Sequence, residues 1–440
     1  MAKILLSFYS NVTWTREKYK DSFIEGFINA LQRMGNDCLS VRVNDFVDNK
    51  NIEINKDKLK EDIIHFSPEL IIAFNNVLPD YDIYTYTNCP ICFFSSDSAI
   101  WWKRKDLIKK YFERYHFFHF SPGMLSDTKN IFEDISDKNN HLFGCATDFR
   151  RIDLVQDTNI TFVGSLNIWN KELVYFFDRF GWNTDYSDIK NQFIDDFTQF
   201  RTNCLKNYHF NQEDYDNEKM KQMCQLVVTA QMRLKILNKL TDLGLKIYTA
   251  SHNVNDLLLY YFDIWKCISC KHVCTLADIE NVYNRSFITL NLPHSQEGNG
   301  FSWRVADILA SQSCLVSTSK PYLRQLFKGY MDIPTYESDI EARDLCLKLL
   351  KDNELRKDVV EASNIVVDKK LRFEDKIKKM GGVIHVELSN NNHIGSNIDL
   401  NCYNYIRSNK IYNHLKLLDK YKYKIWKHFD KKLRKKGIIS

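Results

Sequence analysis

Short apolar runs recur along the first 150 positions, and between them apolar residues return every three or four places. KILLSFY (3–9), LSVRVNDF (39–46), PELIIAFN (68–75), CPICFFSSD (89–97), YHFFHFSPG (115–123) and HLFGCATD (141–148) are the runs. In DSFIEGFINALQRMG, Phe23, Phe27, Ala30, Leu31 and Met34 share one helical face, and Gly35 marks a stop. KDKLKEDIIHF predicts a second helix, and a Lys/Arg-rich helix follows the fourth run. Strands this uniformly apolar, alternating with helices, predict a parallel sheet covered on both faces.

The pattern restarts at TNITFVGSLN (158–167) and continues through QLVVTAQMRLKILNKLTDLGLKIYTA, ADIENVYNRSFITLNLP, CLVS, KPYLRQLF and DIEARDLCLKLLKDNELRKDVVEAS. Two consecutive alternating units predict an α/β chain of two facing Rossmann-like domains with a deep cleft between them. Their expected bounds are 1–155 and 156–385, with a polar, aromatic-rich insertion at about 180–222. Residues 386–440 are expected to form a linker and tail. In sheets of this kind ligands bind outside the carboxyl ends of the strands. The loops after Tyr9, Asn75, Phe94, Gly164, Tyr248 and Pro293 therefore line the expected site.

At 440 residues, two domains are the natural expectation, and 44% hydrophobic with 14% aromatic content is ample for folding. The start, MAKILLSFYSNVTW, reads as a buried first strand, with no signal peptide or membrane span. Twelve cysteines without a framework read as reduced thiols of a cytoplasmic protein. Cys267, Cys270, His272 and Cys274 are metal-ligand types, but they lack the distant second half of a usual structural zinc site, and no metal is expected. The net charge of +5 is local. Residues 401–440 carry twelve Lys or Arg against two Asp, which leaves 49 basic and 54 acidic residues before them. Within 410–436, Leu415, Leu418, Ile425, Trp426, Phe429 and Leu433 lie among lysines. Such a basic amphipathic helix fits an anionic membrane surface, or docks back on the protein through its apolar stripe. The acidic remainder and the lack of a nucleic-acid motif argue against nucleic acid.

One stretch carries the chemistry. KHVCTLADIENVYNRSFITLNLPHSQEGNGFSWRVADILASQSCLVS resembles the donor-binding half of group 1 nucleotide-sugar glycosyltransferases of the GT-B fold, and most of all their CgeB-like, spore-protein-type members. Val273, Tyr283, Asn284, Ser286 and Glu297 fall in that family's order. Asp307 stands where a second Glu would, after a loop two residues longer, and FVGS (162–165) resembles the first strand of the donor domain.

The resemblance implies a nucleotide-sugar donor as substrate, with no cofactor. Asp307 is expected to open a helix and accept from the ribose hydroxyls, although acids in a first turn also serve as caps. Arg304 offers a planar fork to phosphate oxygens or to a surface ion pair. Gly298 and Gly300 would let the backbone approach the ligand, and Phe301 and Ser302 join that set. Glu297 is expected to act on the donor sugar. Gly164 and Ser165 end a strand where phosphate would lie, and Tyr248 and Val273 are placed at the base. On the acceptor side Asp97 is the candidate general base, with N-capping as its structural alternative. Asn11, Trp14 and Trp101 are candidate acceptor contacts.

The expected function is metal-independent transfer of a sugar to a glycan or lipid-linked acceptor, in bacterial surface polysaccharide or lipopolysaccharide synthesis, at or near the inner face of the plasma membrane. A nucleotide-sugar epimerase and a non-catalytic scaffold of the same fold are the rival readings.

Overall fold

The computed structural model describes residues 2–9, 20–43, 53–97, 102–132, 135–166, 229–249, 257–271, 273–294, 297, 300–389, 393–401 and 405–408, with isolated positions at 421, 424, 428 and 432. The expected insertion at about 180–222 lies outside them.

The first unit is built on β1 (Lys3–Tyr9), β2 (Asp37–Val43), β4 (Leu70–Phe74), β5 (Ile91–Ser95), β6 (Tyr115–His119) and β7 (Asn140–Leu142). All pair in parallel in the order β2-β1-β4-β5-β6-β7. Successive residues leave a strand on opposite sides, and both sides are apolar here. Ile72, Phe74, Cys92 and Phe94 enter one core, while Ile71, Ala73, Ile91 and Phe93 enter another. Helix α1 (Ser22–Arg33) covers the first face; the Asp21 carboxylate caps it by accepting from the Phe23 N–H at 3.0 Å. Helices α2 (Lys56–Phe66), α3 (Ile83–Tyr86) and α4 (Lys105–Lys110) belong to the same unit, and α5 (Pro122–Ile131) follows β6.

The second unit has a four-stranded parallel sheet of β8 (Thr158–Val163), β9 (Leu245–Tyr248), β10 (Ser286–Asn291) and β11 (Cys314–Ser317), in the order β11-β10-β8-β9. From β8 the chain moves outward to β9 and then crosses to β10 on the other side. The strand order therefore reverses between β8 and β10, which opens a crevice at their carboxyl ends. Its helices are α6 (229–238), α7 (Leu257–Tyr260), α8 (Phe262–Lys266), α9 (Leu276–Asn284), α10 (Trp303–Leu309), α11 (Pro321–Phe327), α12 (Asp339–Lys351) and α13 (Asn353–Lys370).

One apolar cluster runs through both units. It joins Phe27, Phe94 and Phe143 of the first to Val305, Ile308 and Leu309 of the second. Helix α14 (Phe373–Ile384) crosses back, and Phe373 packs edge-on against Phe23 at 5.1 Å.

The C-terminal boundary differs from expectation. Residues 386–408 are not simply a linker and tail, because β12 (Asn397–Asn401) adds a seventh parallel strand outside β2. Beyond it β13 (Ile406–Ser408) pairs antiparallel with β3 (Glu53–Ile54), and the Tyr405 hydroxyl donates to Asp62 at 2.7 Å. The reason is the outer edge of β2, whose backbone groups need partners. Gly395 makes the approach feasible: a Cβ there would lie 1.8 Å from the Asn36 carbonyl oxygen. Gly395→Ala should detach β12 and lower stability by about 2–3 kcal/mol. Hydrogen exchange checks this, with lost protection confined to 37–43 and 396–401. In the tail, Tyr421, Lys424, His428 and Lys432 are helical and exposed, and their spacing puts them on one face. Among the described residues no helix is long and apolar enough to cross a membrane.

Candidate active site

The crevice between β8 and β10 is where the sequence-predicted residues meet a residue that sequence reading missed. Arg233 lies on α6, only 4% exposed, with its guanidinium laid across both lips. Its Nε donates to the Leu292 carbonyl at 3.1 Å and its Nη1 to the Ser165 carbonyl at 2.6 Å. It thereby ties the end of β8 to the end of β10. Glu297 is the acid whose charge acts on it. Burial, with Arg304 adding to it and Glu297 opposing, brings its pKa down to about 9. A sequence cue existed: Ala230, Arg233, Leu237 and Leu240 form one helical stripe whose other members are buried and apolar.

Glu297 stands on the loop after β10 and is 7% exposed. One carboxylate oxygen accepts from the His294 N–H at 2.9 Å and the other from the Ser302 N–H at 3.1 Å, so the acid staples its own loop. Burial raises its pKa; the His294 bond and the charges of Arg304, Arg233 and Lys320 oppose that. Lys320 itself is pushed down by burial, against Glu297. The half-buried His294 is held at about 4 by burial and by Arg233, so its imidazole is neutral at physiological pH. Three basic side chains and a neutral imidazole thus surround one acid.

Arg304 occupies the first turn of α10, beside the Tyr283 hydroxyl and Asp21. A Cβ on Gly164 would come within 3.2 Å of its Nη2, so the absent side chain at 164 leaves Arg304 its place. Gly164 also donates its N–H to the Tyr248 carbonyl at 3.0 Å, which fixes Tyr248 at the same edge. Ser165 is exposed there. Ser302 directs its hydroxyl to Asn291 at 3.3 Å. Val273 packs against the large core.

Three expectations are corrected by packing. Asp307 does not open its helix: α10 begins at Trp303, and Asp307 is four residues further in, 3% exposed. Its carboxyl oxygens receive Thr147 Oγ1 at 2.6 Å and Ser22 Oγ at 3.4 Å. Gly300 is closed in by the first unit rather than open to a ligand, since a Cβ there would lie 2.2 Å from Ser121 Cβ. Phe301 is interface core, stacked on Tyr322 at 5.1 Å, and its carbonyl accepts from the Cys145 thiol at 3.2 Å. Each faces the other unit, so intramolecular packing takes up these groups.

Asp97 follows β5 and is held by Asn75, whose amide donates at 2.5 Å; its own carbonyl accepts from the Trp102 indole at 3.2 Å. Asn11, Trp14, Trp101 and Gly298 lie outside the described residues. Cys267, Cys270 and Cys274 are half-buried and His272 lies outside. Among the described residues no group of three or more His, Cys, Asp and Glu is placed to hold a metal ion.

Residues 233–380, from the buried arginine to the crossing helix, match the glycosyl transferase-like family. The fold is that of the GT-B glycosyltransferases. Sucrose-phosphate synthase from Thermosynechococcus elongatus superposes with a TM-score of 0.52 at 8% identity, covering 88% of this chain and 98% of that one. AviGT4, a glycosyltransferase involved in avilamycin A biosynthesis, gives 0.50 at 7% identity over 88% and 97%. No protein of curated function matches the chain by sequence. In the GT-B frame the β8/β10 crevice belongs to the second unit, and α10 presses its loop against the first.

Proposed function

We propose that the protein is a metal-independent glycosyltransferase whose nucleotide-sugar donor lies in the β8/β10 crevice, with its diphosphate on Arg233 and Arg304. One observation carries this reading. Arg233 is buried beside Arg304, with Glu297 the acid that acts on both and on Lys320, and such an excess of buried positive charge is costly unless an anion completes it. A diphosphate supplies about two negative charges and oxygens suited to a guanidinium fork. As the bond from the sugar's anomeric carbon to the phosphate oxygen breaks, charge grows on that oxygen, and Arg233, Arg304 and Lys320 stabilise it without a metal ion. Glu297, its loop fixed by two backbone N–H groups, retains lone pairs for donor-sugar hydroxyls. The first unit supplies the acceptor side, with Asp97 as general base in an inverting reaction. The acceptor is a glycan or lipid-linked sugar of a bacterial surface polysaccharide or lipopolysaccharide. The basic segment 410–436 brings the enzyme to an anionic membrane.

Thermal melts with UDP, GDP, dTDP, ADP and CMP, each with and without EDTA, test the reading. A nucleotide at about a hundred times its dissociation constant adds about 2.7 kcal/mol. Stabilisation by one of them that survives EDTA and is lost in Arg304→Ala is the expected result. No shift with any nucleotide would sink the donor site, and a shift abolished by EDTA would overturn metal independence.

A further inference from the structure

Asp307 is 3% exposed at the junction of the two units, and groups face it from every element around it. From α1 come Ser22, with Oγ 3.4 Å from Oδ2, and Asp21. From the segment after β7 comes Thr147, with Oγ1 2.6 Å from Oδ1; the Thr147 hydroxyl also accepts from the Phe149 N–H at 3.0 Å. The Cys145 thiol lies on the same segment. Tyr283 approaches from α9, and Arg304 lies one turn earlier on α10 itself. Thus α10, a second-unit helix that also bears Arg304, is fastened to the first unit at two points by one side chain.

We propose that Asp307 is a positioning residue that latches the two units together through Thr147 and Ser22 and so sets where Arg304 stands, rather than a ribose-binding carboxylate. The role of Arg304 rests on the function proposed above; the latch itself does not.

Both carboxyl oxygens are engaged from the first unit. Thr147 Oγ1 donates to Oδ1 and Ser22 Oγ donates to Oδ2, so each oxygen of the one carboxyl is held by a first-unit hydroxyl. Burial holds the pKa of Asp307 well above the usual carboxylate range, and Asp21 adds to this, while the Thr147 bond, Arg304 and the Ser22 bond oppose it. The folded value is raised. The stabilisation from the neutral form is therefore fully present below the unfolded value, about 3.9, and is lost as pH rises through the folded value.

Asparagine can make the same two contacts, its Oδ1 accepting from Thr147 and its Nδ2–H donating to Ser22, whereas alanine can make neither. Small-angle scattering of the full chain without nucleotide should show Asp307→Ala and Thr147→Val expanded relative to wild type, and Asp307→Asn as compact as wild type. All three variants equal to wild type, or Asp307→Asn as open as Asp307→Ala, would overturn the latch. This readout needs no donor, so it stands even if the glycosyltransferase reading fails. A second arm compares binding of UDP and 2′,3′-dideoxy-UDP. Asp307→Asn should keep the wild-type ratio of the two affinities, and a ratio collapsing to one would return the carboxylate to the ribose and overturn the proposal.

Discussion

Arg233→Met should leave the nucleotide-free protein within about 2 kcal/mol of wild type and remove its stabilisation by nucleoside diphosphate, a loss of at least about a hundredfold in affinity. Two effects oppose each other in the nucleotide-free state. Methionine fills much of the same volume and relieves the burial of a charge whose pKa is depressed to about 9. Against that, the Leu292 and Ser165 carbonyls lose their donors, at about 1–3 kcal/mol for each group left unsatisfied. Neither side dominates, so stability stays close to wild type. In the bound state nothing compensates. Charge-assisted hydrogen bonds to a dianion contribute about 1.5–3 kcal/mol each, and a guanidinium can form two at once. Calorimetric titration together with melts separates the two states. A variant that loses more than about 2 kcal/mol of stability yet still binds nucleotide as wild type does would make Arg233 a strut between β8 and β10. Gly164→Ala is the milder companion: its methyl would meet Phe162 Cζ at 3.0 Å and Arg304 Nη2 at 3.2 Å, displacing the second cation without removing it.

The contrast between Arg233 and Asp307 shows what was legible in the sequence. Buried parallel strands are nearly continuous apolar runs, so β1, β4, β5, β8 and β10 can be read directly, and the helix predicted over KDKLKEDIIHF matches α2. The crevice was legible too, because topology alone puts Gly164 and the loop after β10 at one edge. What sequence could not supply was the partner of each polar group. Asp307 and Gly300 look like ligand-binding residues from their neighbours in sequence, yet their partners are Thr147, Ser22 and Ser121, between 160 and 285 positions away for the acid. β12 was missed for the same reason. NIDLN has neither a long apolar run nor a helical period, and only the open edge of β2, some 360 residues earlier, makes it a strand. Long-range pairing overrides local pattern where the local signal is weak.

Gly300→Ala should separate the two units, and Ser121→Gly in the same chain should restore them. The added methyl would lie 2.2 Å from Ser121 Cβ, 2.9 Å from Ser121 Oγ and 3.3 Å from the Glu297 carbonyl oxygen, so something must move. If Ser121 gives way, α5 loses the cap in which Ser121 Oγ accepts from the Met124 N–H at 3.3 Å, worth about 1 kcal/mol. If the loop gives way, Glu297 loses its hold on Ser302, and the Phe301 carbonyl leaves the Cys145 thiol. The second route opens the interface that α10 makes with the first unit, and overpacking of this kind costs about 1–3 kcal/mol. Scattering should show a larger radius of gyration for Gly300→Ala, and melts a loss in that range. Ser121→Gly removes the clashing Cβ, and glycine at an N-cap costs only a few tenths of a kcal/mol relative to serine. The double variant should therefore return to wild-type compactness, with a non-additivity of at least about 1 kcal/mol in the cycle. Strict additivity would mean that the two residues do not meet and would remove Gly300 from the interface.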